Sequence, residues 1–202
     1  MRILLSSLCA FVLFGCVSYP KKNGFEAIES IQRELLNPYF SDTSRDYVYK
    51  ANIEAFDRAF GGLLILKKLG GDHHRILFTT EMGNTLFDFE FLGDDFQVNR
   101  ILPEMDKKIL RKILKRDFKA LITEHPPESQ TFDDGMDVVV ETEILSKKHY
   151  FYLADGQLQK IVRTGNGKEK TIFLFTELNP GTAGKIQISH QTFPLKITLN
   201  QI

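Results

Sequence analysis

The chain reads as a mainly β protein of α+β type. About eleven antiparallel strands would curl into a half-open barrel, with an N-terminal helix and an amphipathic helix covering the concave side. Three observations carry that reading. Apolar and polar residues alternate with period two through residues 46–102 and again through residues 138–201. Turn residues interrupt these runs at intervals of about ten, which favours antiparallel pairing of neighbours. Between the two stretches, one segment switches to a helical period.

Taken in order, "FEAIESIQRELL" places Phe25, Ile28, Ile31 and Leu35 at helical steps, and Asn37-Pro38 ends it. Five strands follow. "DYVYKANIEAF" alternates from Asp46 to Phe56. "AFGGLLILKKL" carries Gly61-Gly62, which suggests a bulge or strong bend. "HHRILFTT" is third. "TLFDFEFL" puts Phe87, Phe89 and Phe91 on one face and Asp88 and Glu90 on the other. "FQVNRIL" is fifth. From Glu104 to Ile122 the period predicts a helix with Met105, Ile109, Leu110, Ile113, Leu114, Phe118 and Leu121 on one stripe. Its other side carries Lys107, Lys108, Arg111, Lys112, Lys115, Arg116 and Lys119. Glu124 to Asp137 reads as a loop, since Pro126-Pro127 stops any helix. About six strands complete the chain, with Asp155-Gly156 and Asn166-Gly167 as strong hairpin turns.

The N-terminus carries a different message. Arg2 precedes an apolar run from Ile3 to Gly15 that is shorter than the roughly 20 residues of a membrane-spanning helix. That layout is a secretory signal peptide. Leu13-Phe14-Gly15-Cys16 resembles the bacterial lipobox, which implies cleavage before Cys16 and its lipidation by palmitate-type acyl chains. The expected organisation is a signal peptide over 1–15, a lipidated tether over 16–24 and one domain over 25–202. Cys9 would leave with the signal, so Cys16 would be the sole mature cysteine and no internal disulfide could form.

Chemical motifs are sparse. There is no Gly-x-Ser-x-Gly, His-Glu-x-x-His or P-loop, so enzyme activity is not expected and no cofactor is called for. His73 and His74 are adjacent in a strand and should point to opposite faces, which keeps them from sharing a metal. The formal net charge of +0 argues against general nucleic-acid binding. The basic face of the 104–122 helix fits either an anionic lipid surface or plain solvation.

The order of elements resembles the LolA/LolB family of periplasmic lipoprotein carriers and outer-membrane lipoprotein receptors. The local cues are "FGGLLILKK" followed by "RILFTTEMGNTLFDFEF". The resemblance implies an acyl-binding half-barrel, and the lipobox favours the anchored, receptor-like branch. That branch inserts cargo with an apolar loop tip, for which Met82 in the short Thr80–Asn84 connection is the one candidate.

The resulting expectation is a monomeric, outer-membrane-anchored protein facing the periplasm. It would bind acyl chains of lipids or lipoprotein cargo. Phe87, Phe89, Phe91, Phe173 and Phe175 would form the wall, and Ile109, Leu110 and Ile113 the lid. The competing expectation is an assembly lipoprotein whose barrel is filled by its own side chains. A void between sheet and helix favours the first; a filled core favours the second.

Overall fold

The computed structural model describes residues 18–30 and 37–202. The leader, Cys16 and most of the expected second half of the N-terminal helix lie outside them. The described elements are α1 (Tyr19–Lys22), β1 (Glu26–Ile28), β2 (Asp46–Ala55), β3 (Arg58–Gly70), β4 (His73–Thr79), β5 (Thr85–Leu92) and β6 (Asp95–Ile101). Next come α2 (Lys108–Ile122), β7 (Glu128–Asp133), β8 (Val138–Ile144), β9 (Lys147–Ala154) and β10 (Gln157–Gly165). The chain closes with β11 (Lys168–Asn179), β12 (Thr182–His190) and β13 (Leu195–Gln201).

All thirteen strands belong to one antiparallel sheet in the order β1-β7-β8-β9-β10-β11-β12-β13-β2-β3-β4-β5-β6. β13 returns to pair with β2, so the two strand runs are sewn together in the middle. β1 and β6 are the edges, and the sheet does not close. Alternation does the sorting. In β2, Tyr47, Tyr49, Ala51, Ile53 and Ala55 are buried while their neighbours reach solvent. The inward residues of the sheet and the apolar stripe of α2 share one core.

The two strands beyond the expected eleven are β1 and β7, which pair with each other at one end of the sheet. Both are short, and each exposes at least four of its residues or its whole length. Three residues are too few for β1 to show a period, and Glu-Ser-Gln-Thr-Phe-Asp in β7 carries one large apolar residue, so neither leaves alternation to read. The helix expected from Phe25 is thereby corrected at Glu26–Ile28, where ladder bonds to Thr131–Asp133 win over helical period. Likewise the loop expected over Glu124–Asp137 contains β7. The long helix begins at Lys108, four residues later than its period suggests. Residues 103–107 are instead folded into tight turns that bury Met105. Gly61-Gly62 makes no bulge. β3 runs through it in unbroken register with β2. At Gly62 an added Cβ would lie 1.9 Å from the Thr79 carbonyl oxygen, so glycine is needed there for close backbone approach.

The convex side carries a smaller cluster, made by Tyr19, Phe132, Val139, Tyr150, Tyr152 and Val162, with Phe25 against it. The Tyr19 ring sits 4.7 Å from that of Tyr150. Its hydroxyl donates to Glu169 at 2.8 Å and lies 2.8 Å from the Tyr152 hydroxyl. Burial pushes the Tyr19 phenol up, and both hydrogen-bond partners add to this. The expected tether is therefore docked to the domain at Tyr19 and Pro20.

Candidate functional site: a cationic cleft beside the lid helix

The phenylalanine wall is present, and it is packed. Phe87, Phe89, Phe91, Phe173 and Phe175 are all fully buried. Phe87 stacks on Phe89 at 4.3 Å, and Phe118 of α2 covers both at 5.7 and 6.4 Å. Phe96 closes over Phe89 and Phe91. On the other half, Tyr39 lies 5.1 Å from Phe175, and its hydroxyl donates to the Leu158 carbonyl. Phe40 lies against Tyr47 and Tyr49. Residues 37–40 thus plug the concave side where α2 does not reach. Four surface clefts among the described residues are lined by other side chains.

The expected lid residues divide. Leu110 and Ile113 are buried, whereas Ile109 is half exposed. Ile109 and Ile113 both line a cleft of about 420 Å³ between α2, the β10–β11 hairpin and the β12–β13 loop. Phe193 supplies its third apolar side chain. Phe193 also lines a neighbouring cleft of about 570 Å³, so the β12–β13 loop stands as a post between two openings. The post is braced: Phe193 meets Phe56 edge-on at 5.0 Å, and the Lys107 ammonium sits 4.3 Å over the Phe56 ring. Phe56 holds a φ of 52°, rare for a bulky side chain, at the β2–β3 turn.

Facing the apolar residues are Lys112, Arg116, Lys147, Arg163 and Lys170. Among the described residues no carboxylate lines the cleft. Asp117, the only acid in α2, is turned inward and fully buried. Its Oδ2 accepts from His190 Nε2 at 2.7 Å. The other ring nitrogen of His190 lies 3.3 Å from the Thr171 hydroxyl, which accepts from Arg163 Nε at 3.2 Å and Nη2 at 2.8 Å. With two N–H groups on its oxygen, Thr171 has its hydrogen free for His190. The order carboxylate, imidazole, hydroxyl resembles a nucleophile relay. Here the hydroxyl is fully buried and already engaged by a guanidinium, so the relay acts as a clamp that sets Arg163 at the cleft floor.

Arg163 is only 8% exposed. Burial lowers its pKa, and the neighbouring Arg116 cation adds to the effect. His149, buried nearby, is pushed down to about 4, first by burial and then by the Arg163 and Arg116 charges. Its Nδ1 bonds the Lys147 carbonyl oxygen at 2.8 Å, while Nε2 is buried without a partner.

Sequence reading named Arg116 and Lys112 only as part of a basic face, and missed Arg163, Lys147, Lys170, His190 and Phe193. The inward placement of Arg163 is hidden because β10 slips register at Leu158/Lys160 and at Arg163/Thr164, which breaks the alternation. Met82, the expected loop tip, is 92% exposed in the β4–β5 turn and does not fold back on it. His73 and His74 do face opposite ways. His74 is buried beside Glu124, and His73 pairs with Glu90 at 2.6 Å on the outer side.

The architecture has a counterpart among solved structures. The LolA superfamily protein NE2245 from Nitrosomonas europaea matches with a TM-score of 0.53 over 83% of this chain and 88% of that one, at 11% identity. The fold is LolA-like. A putative outer membrane lipoprotein-sorting protein domain from Vibrio parahaemolyticus aligns over 81% of this chain and 85% of its own, with a TM-score of 0.43 and 9% identity. No family model and no curated protein matches the chain. At these identities the likeness is one of backbone architecture, and the cleft must be argued from its own residues.

Proposed function

We propose that this is an envelope protein, anchored to the outer membrane through acylated Cys16 and facing the periplasm. It shelters an acyl chain of a lipid or lipoprotein between the concave face and α2. One observation carries the reading: a single amphipathic helix covers the apolar face of an open sheet, and its own Ile109 and Ile113 open onto the cleft beside Phe193. The chain would enter there and displace the apolar stripe of α2 from the phenylalanine wall. No bond is made or broken, and the protein acts as a monomer.

The magnitudes allow the exchange. Lifting Leu110, Leu114, Phe118 and Leu121 out of the core costs roughly 1.5–3 kcal/mol each. An acyl chain of about fifteen methylenes returns about 0.8 kcal/mol per methylene on burial. Substitution of one apolar cover by another is therefore close to balanced, as a carrier that must also release requires.

A second reading rests on the packed wall: the core is filled without a ligand, the outcome that was expected to favour an assembly lipoprotein binding a protein partner. The two readings separate on one titration. The chain has no tryptophan, so Ile113→Trp adds a single emitter on the lid. Titration with a saturating fatty acid is expected to shift its emission, with saturation at one chain per protein. An emission that never moves, on a protein whose unfolding transition stays cooperative, leaves the scaffold.

A further inference from the structure

We infer that the cleft between α2 and the β10–β11 hairpin binds a phosphate-bearing anion, and that the amphiphile of the proposed function carries it as its headgroup. The anion part stands on the cleft alone; the tail rests on the acyl reading. Arg163 is a buried cation with no carboxylate within ion-pair distance among the described residues, its guanidinium bonded to one neutral hydroxyl. The Asp117 carboxylate favours this cation from beyond His190 and Thr171, against the larger effects of burial and of Arg116. Burying a guanidinium with no carboxylate in direct contact is costly, and folding alone gives little reason to keep it. Arg116 stands over the same cleft with its Nε buried and unpartnered. Lys112, Lys147 and Lys170 close the rim, and none of them makes an ion pair among the described residues. Two other cations whose side chains are only 13% exposed do meet carboxylates: Lys68 with Glu124 at 2.7 Å and Lys119 with Asp94 at 3.4 Å. With one buried carboxylate behind five cationic side chains, the direct contacts that are missing at the cleft are what an anion would supply.

The shape fits a headgroup. Cations form one side, while Ile109, Ile113 and Phe193 form the other. A phosphate held by the two guanidiniums would leave the first methylenes of its tail against the isoleucines of the lid. Guanidinium forks suit phosphate oxygens, and the Thr171–His190–Asp117 clamp fixes one fork in advance.

The test uses the full chain in dodecyl maltoside, with phosphatidylglycerol, phosphatidylcholine or inorganic phosphate added, read by native mass spectrometry and thermal shift. Phosphatidylglycerol is expected to be retained at least tenfold better than phosphatidylcholine. Arg163→Met and Lys112→Gln are each expected to cut that retention about tenfold. Lys108→Gln, an equal charge change on the same helix outside the cleft, should leave it unchanged. Equal retention of the two lipids, untouched by the cleft variants, overturns the anion site while leaving the acyl reading intact. Retention of neither lipid removes the acyl reading. Phosphate protection that depends on Arg163 then supports the anion site with free phosphate as its source, and its absence overturns the site too. Loss of binding in Lys108→Gln equal to that in Lys112→Gln reduces the effect to bulk charge and also overturns it.

Discussion

The two halves of the sheet treat charge in opposite ways. In the β3–β5 half, each inward or half-buried cation has a carboxylate. Lys68 and His74 share Glu124, and Arg75 grips Asp88 through both oxygens at 2.9 and 2.6 Å. In the β9–β12 half, Arg163 and His149 are as buried as Lys68 and His74 and hydrogen-bond to neutral groups; Arg116 adds a like charge, and Asp117, paired directly with His190, reaches Arg163 only through its field. Stability has been optimised in the first half and given up in the second. A region that only has to fold compensates its charges; a region that leaves them open has another use for them.

Glu124→Gln removes the partner of a Lys68 side chain that is 13% exposed and should cost about 3–5 kcal/mol in urea unfolding. A loss under about 1 kcal/mol would mean the paired half is not stabilised by its pairing. Acidity gives the next largest effect. Folded His149 titrates at about 4 against 6.5 when unfolded, so between these values the unfolded chain binds more protons. Stability from this group is complete above about pH 6.5. It falls as pH drops toward 4, by at most about 1.4 kcal/mol per pH unit. Urea midpoints at pH 7.5 and pH 4.5 should differ less in His149→Gln than in the parent. The smallest effect is expected where burial alone would suggest a large one. Arg163→Met should change stability by less than about 1 kcal/mol, or raise it, because an apolar side chain replaces an uncompensated charge. Strong destabilisation there would make Arg163 structural and erase the contrast between the halves.

Much of this fold was legible because alternation is a local property. The eleven principal strands and α2 follow from period alone, and Asn166-Gly167 takes positive φ at both turn positions, 53° and 66°, as a type I′ hairpin requires. Turns without that chemistry were harder. Phe56-Asp57 and Leu145-Ser146 adopt the same left-handed geometry with residues that do not advertise it. β1 and β7 were hidden because one is three residues long and the other has a single large apolar residue to mark a period. The cleft was the least legible part, since it joins residues 109–116 to residues 147–193 across the sheet, and its key arginine follows the register slip at Leu158/Lys160. The aromatic wall was legible as a wall; that α2 and residues 37–40 fill the space in front of it depends on tertiary packing.

The docking of Tyr19 bears on how such a protein would stand at a bilayer. If Cys16 carries the acyl chains that its lipobox implies, three peptide units separate it from a ring already fixed on the convex cluster, a reach of about 10 Å. That is a pivot where a loose leash would let the body roam. Val162 of β10 belongs to the cluster that holds Tyr19, and the next residue, Arg163, belongs to the cleft on the opposite face. Mooring and cargo berth would then lie back to back across a single strand. The protein would present its berth at a constant bearing and height above the lipid, and transfer would need a tilt of the body instead of a journey.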